Sequence, residues 1–494
     1  MKNFCLFLMA MASFLFPSCA KGQANFDQRP RLVVGIVVDQ MRWDYLSRYY
    51  TKFGTDGFRR LLDKGYSCNN TMIPYIPSVT AAGHTCIYTG SVPAINGIAG
   101  NNFYKNGKKV YCCDDDNVQT VGSNTDAGKM SPENLWVTTI GDQLRLHTDF
   151  KSKTIGVSLK DRASILPAGR TANAAYWFDT KAGKFITSTW YMKQLPQWAN
   201  DYNKSIKIDK GLDVRYSPKG NELIAQMAEA ALKGEKLGQN GETDFLAVSF
   251  SCTDYVGHKY GTRGEHTDEI YLTLDKQIAG LLNALDAQVG SGNYLVFLTA
   301  DHGASHNAFF LQDHKVRAGE WNEPAALKDM NAFTTRMFGQ PLVKDIIEYR
   351  VYLDHDAMKA ANLDGGKVSE ALAAHIAESD SVAYAVPFDK VRQHTIPEAI
   401  AGRIVNGYNA KRSGDIQVIT STQFYDGDGQ RDGGTTHGMW NPYDTHIPLL
   451  FYGWHVPQGS TTRETHMTDI AATVCAMLHI QQPNGCIGQP ISFE

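Results

Sequence analysis

Three aspartates stand just past apolar runs. Asp39 closes "RLVVGIVVD", Asp254 follows "LAVSFSCTD" and Asp301 follows "YLVFLTAD". A lone aspartate at a strand end ordinarily caps a helix or ties down a loop. Three of them at the carboxyl ends of neighbouring parallel strands would repel one another unless a cation neutralised them. Histidines accompany them. His258 lies four residues after Asp254 in "DYVGHKYG", the only Asp-x-x-x-His among the 15 histidines, and His302 follows Asp301 directly. His437 sits in the Gly/Thr-rich "GGTTHGMW". Mixed imidazole and carboxylate donors suit zinc first and manganese next.

A hydroxyl and two cations complete the set. In "YIPSVTAAGHTCIYTG" (75–90), Thr80 opens a run compatible with a helix. A helix start offers free N–H groups and positive potential to an anion. A threonine there becomes a useful nucleophile only if something lowers its pKa, as a bound metal does. "SLKDRASILPAGR" (158–170) carries Lys160 and Arg162 one residue apart. In extended chain they would share a side, with Asp161 turned away. By itself such a pair is a solvated surface; beside the other residues the two cations could reach into one pocket.

The elements that must position these groups read as α/β. Strands are expected at 31–41, 154–159, 244–250, 293–299, 415–420 and 446–453. Helices are expected at 221–233 and 267–286, around Phe58, Leu61 and Leu62, and from Ser131–Pro132 through "ENLWVTTIGDQL". Alternation of this kind predicts a three-layer αβα sandwich around a largely parallel sheet, with ligands at its carboxyl edge. Residues 163–215 and 305–413 interrupt the rhythm and are expected as insertions over that edge, within one catalytic domain spanning 21–494.

Bulk properties exclude more than they assign. The formal charge is −3, and no basic tract argues for nucleic acid. Hydrophobic residues make up 43% of the 494, enough for a large core. The first 20 residues read as an export signal, with "FCLFLMAMASFLF" (4–16) as its apolar run and cleavage after Ala20. The expected location is therefore the periplasm, and a membrane tie follows only if Cys19 is lipidated. The seven other cysteines beyond the leader form no CxxC pair, and one or two disulfides are plausible in an oxidising compartment.

Together these motifs resemble the alkaline phosphatase superfamily. The likeness is nearest to the branch linking nucleotide pyrophosphatases/phosphodiesterases with threonine-nucleophile bacterial alkaline phosphatases of the PafA type. "IPSVTAAGH" is similar to that branch's Pro-Ser/Thr-x-Thr-x-x-x-His motif, which implies Thr80 as nucleophile. "NGIAGN" is similar to the segment whose last asparagine, here Asn101, contacts the phosphoryl group. The resemblance implies two zinc ions. One would be held by Asp254, His258 and His437, the other by Asp39, Asp301, His302 and the Thr80 oxygen. Lys160 and Arg162 resemble the pair that holds phosphate oxygens in the PafA type and depart from the general phosphodiesterase pattern. "TDIAATVCAML" resembles the family's closing helix. The implied protein is a phosphomonoesterase acting on small phosphate monoesters, expected as a monomer. A nucleotide pyrophosphatase/phosphodiesterase on the same fold is the alternative. No Cys- or Ser-x-Pro-x-Arg segment supports a sulfatase.

Overall fold

A computed structural model describes residues 28–427, 429 and 433–493. The expected export signal and Cys19 lie outside them. In chain order the elements needed below are β1 (Leu32–Val38), α1 (Thr80–Thr89), β2 (Thr154–Ser158), α2 (Arg162–Ala168), β3 (Ala174–Asp179), β4 (Lys184–Ser188), β5 (Asp244–Phe250), α3 (Cys252–Tyr260), α4 (Glu265–Val289), β6 (Tyr294–Thr299), β7 (Val343–Ile347), β8 (Arg350–Leu353), β9 (Val382–Pro387), β10 (Ile416–Thr420), β11 (Leu449–Gly453) and α5 (Asp469–Met477).

The main sheet runs β11–β6–β1–β5–β2–β3–β4, with short strands at both ends. β1 pairs in parallel with both β5 and β6, and β5 pairs in parallel with β2. Of these seven, only β11 and β4 run opposite to the other five. All seven residues of β1 and of β5 are buried, which is why they read as unbroken apolar runs rather than alternating ones. The apolar face of α4 (Ile270, Leu274, Ile278, Leu281, Leu285) is buried as its spacing predicts. Each such side chain contributes about 1.5–3 kcal/mol of burial. The fold is thus the expected α/β layer structure around a mostly parallel sheet.

Several expected elements come out differently. Residues 163–215 are not wholly an insertion: within them β3 and β4 extend the main sheet itself. The 415–420 strand is β10, in a separate four-stranded antiparallel sheet ordered β7–β8–β10–β9. That sheet has its own core, including Leu342, Val351, Leu372 and Ile416, and is built largely from the 305–413 segment. Pro448 divides the expected 446–453 strand: His446–Ile447 pairs with Thr71–Met72, and β11 starts after it. The helix expected from Ser131 begins only at Ile140. There Thr139 and Asp142 form a reciprocal capping box, a stronger start signal than Pro132. All seven described cysteines are free thiols, so the anticipated disulfides are not formed.

Candidate active site

Three parallel strands deliver the acids to one place. Asp39 directly follows β1, Asp301 comes two residues past β6, and Asp254 lies in the first turn of α3 beyond β5. Asp39 and Asp301 are fully buried and Asp254 is 3% exposed. Thr80 is the first residue of α1, 2% exposed, and Val79 before it is extended. The helix presses on the strand end: a Cβ at Gly83 would lie 2.4 Å from the Asp301 carbonyl oxygen. His84 braces the same turn, its Nδ1 donating to the Thr80 carbonyl at 2.9 Å and its Nε2 meeting Ser249 Oγ at 2.7 Å.

The histidines turn toward the acids. His258, His302 and His437 each donate Nδ1–H to a backbone carbonyl, at Thr435 (2.9 Å), Gly303 (3.0 Å) and Ser78 (2.7 Å). That turns each Nε2 toward the acids; burial opposes a charge on His258, but the Asp254 carboxylate outweighs it and pushes that imidazole up. His258 Nε2 lies 3.1 Å and His437 Nε2 3.7 Å from Asp254 Oδ1. His302 Nε2 lies 3.6 Å from Asp39 Oδ1 and 3.4 Å from Asp301 Oδ2. Asp254, His302 and His437 form one metal-competent group, and Asp39, Asp301 and His302 another, with donor atoms within 4.8 Å of one another in each. His302 stands between them, stacked on His437 with ring centroids 3.4 Å apart. His258, its side chain 36% exposed, is the rim member.

Asp39 Oδ1, Asp301 Oδ2 and His302 Nε2 are buried and make no hydrogen bond. Buried polar atoms rarely stay unpartnered, and three converging acceptors fit a divalent cation. The charge environment agrees. Burial, together with the charges of Asp301 and Asp254, pushes the Asp39 carboxyl well above its usual range despite Lys160. Burial also opposes ionisation of Asp254, yet His258 and Lys160 hold its carboxyl well below the usual range. Burial pushes His302 and His437 down, so both are neutral and able to ligate.

The phosphate-binding candidates surround this cluster. Asn101 Oδ1 accepts from the Ala81 N–H at 3.0 Å, which places its side chain at the first turn of α1, beside Thr80. Lys160 Nζ is 2.6 Å from Asp39 Oδ2 and 2.6 Å from Asp254 Oδ2, so here its ammonium neutralises carboxylates. The extended geometry expected for 160–162 is not found. Asp161 is helical and caps α2, and Arg162 is its first residue. Both cations nonetheless face Tyr255, and Arg162 Nη1 donates to Tyr111 Oη at 3.0 Å. Arg162 Nε is buried without a partner.

Other residues of the site give no signal in sequence. Gln40, in a left-handed conformation (φ 61°), donates its backbone N–H to Asp301 Oδ1 and its side-chain amide to Asp254 Oδ1, at 3.1 and 2.7 Å. Tyr111 bridges Arg162 and Asp161. Glu348, from the small sheet, accepts the Asn101 backbone N–H at 2.9 Å.

The carboxyl edge of a parallel sheet thus gathers two overlapping Asp/His groups that could hold cations, beside a helix-opening threonine. The type I phosphodiesterase/nucleotide pyrophosphatase family profile matches residues 33–440, and the chain belongs to that family. Within it, the chain is 45% identical to the alkaline phosphatase PafA of Elizabethkingia meningoseptica, over 95% of each chain. It is 44% identical to the alkaline phosphatase PhoV of Synechococcus elongatus, over 94% of this chain and 92% of that one. A protein of Myroides odoratus named as a calcium-transporting ATPase is also 44% identical, over 94% of each. The crystal structure of wild-type PafA superposes with a TM-score of 0.90, covering 94% of this chain and 99% of the other.

Proposed function

We propose that the protein is a periplasmic, zinc-dependent alkaline phosphatase that hydrolyses small phosphate monoesters through a phosphothreonine intermediate. Its kinship with PafA and PhoV supports a phosphoric monoester hydrolase. The observation that carries the reading is the convergence of Asp39 Oδ1, Asp301 Oδ2 and His302 Nε2, all buried, next to the helix that begins with Thr80. Asp39, Asp301, His302 and the Thr80 oxygen would hold one zinc; Asp254, His258 and His437 would hold the other. Bound there, the ions would supply a lowered pKa for the Thr80 hydroxyl and positive charge for the departing oxygen.

The chain's own groups account for the rest. Thr80 Oγ attacks phosphorus in line, the bond to the leaving alcohol breaks, and phosphate is carried on Thr80. Water then cleaves that ester and frees the hydroxyl. Asn101 donates its side-chain N–H to a phosphoryl oxygen, and the N-terminus of α1 adds positive potential. Lys160 and Arg162 take the remaining oxygens, Lys160 by leaving one of its carboxylate partners.

Charge favours monoesters. Three carboxylates and an ionised Thr80 carry four negative charges, matched by two divalent ions. A monoester brings two more, matched by Lys160 and Arg162. A diester brings one, and its second ester group competes for the space of the two cations. The terminal phosphoryl group of a nucleoside triphosphate is also unsubstituted and fits the same count. No helix among the described residues is long and apolar enough to cross a membrane.

The test is metal analysis of the purified protein, followed by turnover of a simple aryl phosphate and the matching aryl phosphodiester. Two zinc ions per chain and a monoesterase rate above the diesterase rate are expected. A reversed preference would move the assignment to the nucleotide pyrophosphatases/phosphodiesterases.

A further inference from the structure

The tip of the β7–β8 hairpin holds two side chains in a backbone conformation that suits neither. Glu348 and Tyr349 have φ of 51° and 64°. A two-residue turn of this kind favours Asn-Gly, and a glutamate–tyrosine pair there is strained. Strain of this sort persists only where surrounding contacts enforce it.

Here both side chains reach the site. Glu348 Oε1 accepts the Asn101 backbone N–H at 2.9 Å. Its Oε2 accepts from Arg350 Nη2 at 3.2 Å. Arg350 is fully buried and donates Nη1 to the Ala99 carbonyl at 2.7 Å. A Cβ at Gly100 would fall 1.9 Å from Glu348 Oε2, so the loop passes too close for any other residue. Tyr349 extends the other way. Its hydroxyl accepts from the Asp426 N–H at 2.8 Å, and its ring abuts Gly438, next to His437.

We infer that Glu348 is a positioning residue for catalysis: by clamping the 99–101 backbone it aims the Asn101 amide at the phosphoryl group. Asn101 Oδ1 is already committed to the Ala81 N–H, so the aim of its N–H donors depends on where that backbone sits. The inference rests on the proposed role of Asn101.

Glu348→Asn is the discriminating variant. Asparagine tolerates a left-handed backbone better than glutamate, so the turn is not weakened, but it is one carbon too short for the clamp. Buried Arg350 loses its carboxylate partner in this variant, so Tm is expected to fall, while metal content stays unchanged and kcat/KM, read well below the melting range, is about 10-fold lower. The loss is equal for aryl monoester and diester, since both present an oxygen to Asn101. Glu348→Gln, which keeps the acceptor and the length, recovers most of the rate. In an Asn101→Ala background, Glu348→Asn costs about twofold or less, because the two act as one unit. Wild-type turnover in Glu348→Asn, an equal loss in Glu348→Gln, which gives up the same charge toward Arg350 but keeps the acceptor, or full additivity with Asn101→Ala would overturn the inference. Asn101→Ala with unchanged turnover would remove the role of Asn101 and the inference with it. A slow Asn101→Ala beside a fully active Glu348→Asn would remove the inference alone.

Discussion

At the carboxyl edge of the main sheet, Asp39, Asp254 and Asp301 each follow a wholly buried strand, and the strands pair residue by residue in register. At the phosphate rim, Asn101 hangs on a loop whose backbone is held by Glu348, 247 residues later, from a different sheet with its own core. The edge is placed by contacts that three adjacent strands make anyway. The rim is placed by a few side-chain hydrogen bonds across two sheets. A perturbation at the edge should therefore remove chemistry while leaving the fold intact, whereas one at the rim should weaken transition-state contacts by degrees.

The largest expected effect is at the edge. Thr80→Ala should lower monoester turnover by about 10⁴-fold or more, because no other hydroxyl can carry the phosphoryl group. Tm should stay near wild type, since Thr80 is the first helical residue and Val79, not Thr80, is at the cap position; metal content should too, since Asp39, Asp301 and His302 remain. Thr80→Ser should keep a measurable part of the rate. Substantial turnover in Thr80→Ala, measured with an aryl phosphate, would show that water attacks directly.

Next comes the pair that the charge count makes specific for monoesters. Lys160→Ala with Arg162→Ala should lower monoester kcat/KM by about 10²–10³-fold, and diester kcat/KM by less than about tenfold. Equal losses on both substrates would place the cations in structure, not recognition. That outcome has a physical basis to be tested, because Lys160 already bridges Asp39 and Asp254 at 2.6 Å each.

The edge was readable in sequence because its signal is local. An apolar, β-branched run followed by aspartate states both the buried strand and the residue at its end, as in "VVGIVVD" and "YLVFLTAD". The helix-opening Thr80 and the His258 spacing are local in the same way. The extended geometry expected for Lys160 and Arg162 is wrong: a helix cap at Asp161 turns the chain there, leaving Lys160 on Asp39 and Asp254 and Arg162 on Tyr111. The rim is not local. Glu348 and Gln40 act through backbone positions with positive φ and through partners hundreds of residues away, and nothing in "IIEYRVYL" or "VVDQMRW" marks them. The small sheet was hidden for a related reason. Its strands are short and its last strand, β10, reads like any strand of the main sheet until pairing assigns it.

A smaller effect separates the two cores. Ile416 is fully buried in the four-stranded sheet. Ile416→Ala should cost about 2–4 kcal/mol of local stability from lost burial and the cavity left behind. If the rim depends on that sheet, turnover should fall in proportion to the population in which the hairpin has loosened, with zinc content unchanged. Hydrogen exchange should show the loss of protection confined to β7–β10. A fall in zinc content instead would mean that edge and rim are one cooperative unit.

The smallest effect is a titration that belongs to the rim alone. Burial, then the charges of Asp426 and Asp345, pushes the Glu323 carboxyl up from 4.5 to about 7; Lys109 opposes the shift and Glu348 adds to it. The folded protein therefore holds this proton more tightly than the unfolded chain. The stability it contributes is fully present below pH about 4.5 and is lost as pH rises through about 7. Glu323→Gln keeps the side chain neutral throughout. The variant and the wild type should melt together near pH 5, and the variant should melt about 1 °C higher at pH 8, the gain being small because the group is partly solvated. Metal content should not change with the substitution, since Glu323 belongs to neither ligand group. Superimposable Tm–pH curves would mean that solvent screens the rim's acids from one another, and that its geometry rests on the Glu348 hydrogen bonds without help from charge.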